Sequence, residues 1–209
     1  MPVTLWNDYI CPWAYAARPH TRWLESNGVD VLVRSFELHP DLPPEGRAVR
    51  PGGRLDQVFD HIASQCARFD LEFNKPTRSP NTHRLLAITE LTQRYRPDVF
   101  RRVDEGFARA HWVDGRAIDD AEVVRAVLDD AGAPTSELLE REAEGEGTRL
   151  LEISMAEALD VEVTATPAWR VGTLTITGLH SLSQFQRWTG RILGIDGSRR
   201  PADPERDQR

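Results

Sequence analysis

Cysteine is scarce in this chain, with Cys11 and Cys66 the only two among 209 residues. Two thiols build neither a secreted disulfide framework nor a four-ligand zinc cluster. A chain of this length buries an ordinary core without cross-links, so a cysteine that matters here matters for its reactivity. Lysine is scarcer still: Lys75 stands alone and arginine carries nearly all the positive charge. That bias reflects a GC-rich coding sequence and carries no mechanism. The net charge of −7 argues against a nucleic-acid surface, which needs a concentrated positive patch. No apolar run is long enough to span a membrane. The opening Met1-Pro2-Val3-Thr4 enters a strand-like run without a basic region or a long apolar core, so no signal peptide is expected. The expectation is a cytoplasmic protein, in a reducing compartment, that uses neither nucleic acid nor membrane.

Residues Val3 to Tyr9 are rich in β-branched and aromatic types, and Pro12 supplies the backbone angle favoured at a helix start. Trp13, Ala16, Ala17, His20, Trp23 and Leu24 recur at spacings of three and four, which predicts one helix stopping near Gly28. A second strand is predicted over Val31 to Leu38. From His39 to Arg54 the chain is rich in proline and glycine, suits neither helix nor strand, and reads as a linker or lid over 41–54. A helical section follows. Leu55, Val58, Phe59, Ile62, Cys66 and Phe69 form one apolar stripe, and further periodic segments begin near Asn81, Asp98, Asp119 and Ser136. Asp119 and Glu122 have capping-box spacing, and Gly132 ends that helix. After a helix around Leu150 to Leu159, two strands are predicted, Ala168 to Val171 and Leu174 to Thr177, with a turn at Gly172-Thr173. Ser181 and Gln184 open a closing helix, and 196–209 reads as a charged, disordered tail.

The order is β-α-β, a helical interruption, then β-β-α. That is an α/β chain with the layout of a thioredoxin-like fold, an analogy of arrangement. Residues 1–40 and 160–195 form the discontinuous thioredoxin-like domain, and 55–159 form an inserted all-helical domain.

The chemistry centres on Cys11, in the turn Cys11-Pro12-Trp13-Ala14. A thiol at a helix start lies beside unpaired N–H groups and the positive end of the helix dipole, which favour thiolate over thiol. Thr166-Pro167 lies between a helix and a strand, where a cis proline would turn the backbone and expose it to an extended substrate or a small thiol. By frequency alone an ordinary trans proline is expected there. Cys66 sits on the apolar stripe and reads as a buried hydrophobe rather than a resolving thiol. His39, at the start of the lid, is a candidate to approach the site, or an anchor for its loop. The histidines show no metal spacing. Gly145-Glu146-Gly147 lacks the lysine and the preceding strand of a phosphate loop. Trp112, Trp169 and Trp188 read as core.

The segment Asp8-Tyr9-Ile10-Cys11-Pro12-Trp13-Ala14-Tyr15 resembles the active-site segment of the DsbA family, in particular its FrnE-like branch. Phe36 to Gly46, Asn81 to Ala87, Trp112 to Val123 and the region of Thr166-Pro167 fit as well, so the resemblance spans residues 3 to about 193. It implies a thioredoxin fold with a helical insertion, disulfide exchange through a Cys-x-x-Cys pair, Cys11 as nucleophile and Pro167 as the cis-proline. Ala14 departs from the pattern where the second cysteine would stand. A mixed disulfide on Cys11 then persists until an outside thiol attacks. Related branches, the kappa glutathione transferases and the 2-hydroxychromene-2-carboxylate isomerases, hold glutathione at the same helix start and cis-proline.

The expectation is a one-cysteine thiol-disulfide oxidoreductase. Cys11 is its catalytic residue, with Pro12, Trp13, Ala14, Thr166, Pro167 and His39 binding substrate or thiol. No metal or tightly bound cofactor is expected. Glutathione or mycothiol is the expected co-substrate, a small thiol or disulfide the partner, and a homodimer stays open. Two alternatives remain: a thiol-cofactor-dependent transferase or isomerase of a small organic substrate, and a binding module that has lost catalysis.

Overall fold

The computed structural model describes residues 2–195, so the tail predicted over 196–209 lies outside the described residues. Strand β1 (Val3–Asn7) buries Val3, Leu5 and Trp6, as a strand covered on both faces must. The turn after it leads into α1 (Pro12–Ala16) and α2 (Arg18–Ser26), where one continuous helix is predicted. The break at Ala17 has a local cause. Pro19, in the first turn of α2, has no N–H to give the Tyr15 carbonyl, and its ring would collide with that carbonyl in an unbroken helix. Strand β2 (Val31–Ser35) pairs parallel with β1, Val3 opposite Val31.

The segment read as neither helix nor strand contains β3 (Arg47–Ala48), which leads to α3 (Arg54–Ala67) and pairs antiparallel with β4 (Arg78–Ser79) beyond it. Such a pairing joins residues far apart in sequence and leaves no periodic signal. It is reinforced by side chains: Asn81 Nδ2 donates to Leu42 O (2.7 Å) and Arg78 Nε to Glu45 O (2.6 Å). The proline-rich segment is thus stitched to the chain before α4 (His83–Tyr95). Then come α5 (Pro97–Trp112), α6 (Ala121–Asp130), α7 (Thr135–Ala143) and α8 (Glu146–Asp160). Helix α4 is buried from Leu85 to Thr92 and packs against α5, α7 and α8. At Gly147 a Cβ would come within 2.9 Å of Ala87 O, so α8 approaches α4 only because glycine stands there. The capping expectation at α6 is corrected by one residue. Asp120 is the N-cap, accepting from Glu122 N (2.7 Å) and Val123 N (3.4 Å), while Asp119 turns away to Arg78.

Strands β5 (Ala168–Val171) and β6 (Leu174–Thr177) form a hairpin, and α9 (Leu182–Leu193) follows with Ser181 capping it through Gln184 N (3.3 Å). The four-stranded sheet runs β2-β1-β5-β6, with β5 antiparallel to β1 and Val3 opposite Val171. One apolar cluster lies between this sheet, α2 and α9, with Trp169, Trp23 and Phe185 among its members. A larger one fills the helical insertion but also contains Tyr9, Tyr15 and Ala16 from the first β-α unit. Cys66 is fully buried in it, as its place on the apolar stripe predicts. Helix α8 is tied to the sheet as well: Trp6 Nε1 donates to Ser154 O (3.2 Å) and Ser154 Oγ to Ser35 O (2.7 Å).

Candidate functional site

The end of β1, the start of α1 and the beginning of β5 converge on Cys11. Its backbone is extended (φ −79°, ψ 109°) at the N-cap of α1, and its N–H closes a turn onto Asp8 O (3.0 Å). Because β5 lies beside β1, Thr166 arrives from 155 residues away, and Cys11 Sγ–H donates to its carbonyl at 3.2 Å. The Thr166–Pro167 peptide is cis. Pro12 and Ala14 are buried in α1. Trp13 is half-buried, its ring 5.5 Å from that of His61 on α3, so the insertion reaches over the site. His39 is exposed, its carbonyl accepting from Leu42 N (3.0 Å) in a local turn.

Activation of Cys11 by position is where the structure corrects the sequence. The thiol is only 3 % exposed, and burial pushes its pKa up to about 11 despite the opposing Thr166 hydroxyl and the N–H groups of Ala14 and Trp13. A helix dipole contributes up to about 1 kcal/mol at an exposed end, and α1 has only five residues. Loss of hydration around a thiolate outweighs that. In this conformation Cys11 is held as a thiol.

Asp8 is a site residue to which the sequence reading assigned no role, although its place three residues before Cys11 was a usable signal. It is 1 % exposed, and its carboxylate accepts from Leu38 N (2.9 Å) and Ile10 N (3.2 Å), binding the Cys11 turn to the end of the β2 crossover. Burial raises its pKa to about 6 against these hydrogen bonds, with Glu37 adding to the rise. A second buried set carries no sequence signal at all. Tyr9 Oη donates to Asp104 Oδ1 (3.1 Å), Arg18 pairs with Asp104 Oδ2 (2.8 Å), and Trp112 Nε1 donates to Tyr9 O (2.9 Å). Behind Ala14 and Pro167 lies a cavity of about 40 Å³, also lined by Asn7, Arg18 and Trp169. That volume has room for water but not for a tripeptide. Among the described residues no three His, Cys, Asp or Glu side chains gather as metal ligands, and no helix is long and apolar enough to cross a membrane.

Two buried histidines give the protein a pH dependence. Burial lowers the pKa of His20, whose Nε2 contacts His180 O (2.8 Å), and of His111, beside Trp112, to about 4 each. A folded-state pKa below that of the unfolded chain contributes stability that is whole above about 6.5 and lost as pH falls towards 4. Each histidine can cost up to about 3 kcal/mol. Asp8 has the opposite sign, since its raised pKa favours the fold below 3.8 and that contribution is lost as pH rises through about 6. Glu25 and Glu90, whose pKa values burial also raises, act in the same direction as Asp8, and the two larger histidine shifts set the sign, a net loss in acid. The urea midpoint is expected to fall between pH 7 and pH 4.5, and an unchanged midpoint would contradict these assignments.

Residues 2–188 match the family model described as DSBA-like thioredoxin domain. A search of curated protein sequences returned no match. Among solved structures, the chain is similar to a probable DsbA oxidoreductase from Streptomyces coelicolor (21 % identity, TM-score 0.81, covering 97 % of this chain and 92 % of that one). A 2-hydroxychromene-2-carboxylate isomerase is also similar (18 % identity, TM-score 0.76, covering 92 % and 96 %). So is the cytosolic disulfide reductase DsbM from Pseudomonas aeruginosa with GSH (14 % identity, TM-score 0.67, covering 93 % and 100 %). At these identities the likeness is one of fold, shared by oxidoreductases and an isomerase. The family match over nearly the whole length, with the sheet order and the helical insertion, makes this chain a member of the DsbA-like thioredoxin domain family.

Proposed function

We propose that the protein is a one-cysteine thiol-disulfide oxidoreductase that turns over with a low-molecular-weight thiol in a reducing compartment such as the cytoplasm. The observation that carries this is the seating of Cys11 Sγ against the Thr166 carbonyl at 3.2 Å, at the junction of α1 and β5, with Ala14 in place of a second thiol. In the first step Cys11 thiolate attacks one sulfur of a disulfide, forming a mixed disulfide and releasing the other half as a thiolate. In the second step an outside thiolate, glutathione or mycothiol, attacks the mixed disulfide. Cys11 leaves as thiolate, and the outside thiol departs joined to the substrate's sulfur. Pro12, Trp13, Thr166 and Pro167 border the sulfur and are the proposed contacts for substrate and thiol, with His39 at the rim.

The similarity to DsbM, a cytosolic disulfide reductase solved with GSH, supports a small thiol as partner and a reducing compartment. Treatment of the folded protein with glutathione disulfide is expected to add one glutathione to Cys11 and none to Cys66, read by peptide mass spectrometry. Labelling of Cys66 first, or of neither thiol, would overturn the proposal. The isomerase neighbour and Ala14 favour a second reading, a transferase or isomerase that uses the thiol as cofactor. That reading predicts tight calorimetric binding of reduced glutathione with no mixed disulfide formed.

A further inference from the structure

We propose that Met155 is a site of oxidation to the sulfoxide by peroxide, and that its oxidation loosens the turn that holds Cys11. Met1 and Met155 are the only methionines in the chain, and Met155 has no part in the exchange reaction proposed for Cys11. Among the sulfur-bearing side chains of the described residues it is the one open to a dissolved oxidant. Cys11 is 3 % exposed and Cys66 is fully buried, whereas Met155 is half-buried on α8, with Ala156 and Glu157 exposed after it. A thioether also attacks peroxide through a lone pair, with no proton to lose first.

The surroundings of Met155 tie it to the site. The Glu37 N–H donates to Met155 Sδ (3.1 Å), and the side chain packs against both the cluster of the helical insertion and the cluster around Trp6 and Phe36. The next residue, Leu38, donates its N–H to Asp8 Oδ2 (2.9 Å), and the Asp8 carbonyl accepts from Cys11 N (3.0 Å). A contiguous run of contacts thus leads from the thioether to the reactive thiol. Its first link is its weakest, because a thioether is a poor acceptor.

In the oxidation a lone pair of Sδ attacks one oxygen of hydrogen peroxide, and the O–O bond breaks as the S–O bond forms. The departing hydroxide takes the proton of the transferred hydroxyl and leaves as water, so sulfur loses two electrons and peroxide gains them. One lone pair is engaged by the Glu37 N–H; oxygen adds to the other, and a single epimer results. Sδ is then the positive end of an S–O dipole and repels the N–H it had accepted from. The side chain has become polar where it packs against apolar neighbours. The Glu37–Leu38 backbone must shift to satisfy its freed N–H, and the support it gives Asp8 and the Cys11 turn weakens.

The folded protein is treated with hydrogen peroxide at neutral pH and digested for peptide mass spectrometry. Oxygen is expected on Met155 before any on Cys11 or Cys66, and in the digest one of the two epimer-specific methionine sulfoxide reductases, but not the other, should remove it. Alkylation of Cys11 by iodoacetamide is expected to rise about fivefold after oxidation, the effect of one hydrogen bond lost from the closed form. In Met155→Leu, peroxide should leave the alkylation rate unchanged. Should the leucine variant fail to fold, the rise in wild type must follow the Met155 oxygen content through the time course. Oxygen on Cys11 first, or on no sulfur, overturns the site. An oxidised Met155 with unchanged alkylation overturns the coupling, and equal amounts of the two epimers overturn the role given to the Glu37 N–H. These outcomes report oxidation and thiol access, not turnover, so they stand apart from success or failure of the exchange reaction.

Discussion

At pH 9, Cys11, with its pKa of about 11, is expected to be ionised in roughly one molecule in a hundred, whereas an ordinary thiol, with a pKa of about 8.5, would be ionised in roughly three-quarters. Burial at 3 % exposure and the nearby Asp8 carboxylate hold the pKa near 11, and the three donors at the sulfur offset only part of this. The measurement is the ultraviolet absorbance of thiolate, titrated in wild type and in Cys11→Ser, with the difference assigned to Cys11. A difference curve already half complete at pH 9 would show that the start of α1 dominates after all. The same result would mean that Cys11 is reactive at rest. Under the expected result, ionisation belongs to the complex with substrate, when the surroundings of the sulfur change. Cys11→Ser should also abolish mixed-disulfide formation altogether, because serine has no sulfur with which to form the S–S bond.

The second large effect is on stability. Trp112→Ala is expected to cost about 3–5 kcal/mol, read from urea denaturation, with a fall in Tm of roughly 10 °C. Trp112 is 1 % exposed and lies against Tyr15 (5.5 Å between ring centroids), Phe73 (5.6 Å) and Phe59 (5.8 Å). Truncation opens a cavity among rings from α1, α3 and the chain after it, and leaves the buried Tyr9 carbonyl without its indole donor. Trp188→Ala, in the half-buried face of α9, is expected to cost markedly less. A loss below about 1 kcal/mol at Trp112 would mean that the insertion does not depend on this aromatic stack. Tyr9 stands two residues before Cys11, so the same variant is expected to alter the rate of Cys11 alkylation.

How much of this was legible in the sequence depends on the distance over which each feature is determined. The strands and the β5–β6 hairpin follow from local composition, and the Ser181–Gln184 cap from a four-residue pattern. Pro19 is a local signal for the break at Ala17, but the apolar spacing from Trp13 to Leu24 runs through it and predicts a single helix. Between Asp119 and Asp120 the choice of cap was settled by Arg78, 41 residues away, which takes Asp119 for itself. The pairing of β3 with β4 and the Arg18–Asp104 contact were beyond any local rule. At the site, the resemblance placed Cys11, Thr166 and Pro167 together. It could not supply the depth of the sulfur. Helix-end electrostatics is readable from sequence and burial is not, so the sequence overstated the activation of the thiol.

The concealment of Cys11 also bears on what the protein is protected from. Hydrogen peroxide and related oxidants carry a thiolate through sulfenic to sulfinic and sulfonic acids, and the later steps are irreversible for most proteins. They act on thiolates that are both ionised and accessible. A sulfur that is 3 % exposed and hydrogen-bonded as a thiol to Thr166 presents neither property at rest. With Ala14 there is no neighbouring thiol to trap a sulfenic acid as a disulfide within the motif, so an exposed, ionised Cys11 would have no local rescue. In the proposed exchange reaction, a sulfur covered until a disulfide docks makes recognition precede reactivity, and it spares a lone cysteine the oxidation that a dithiol motif could reverse.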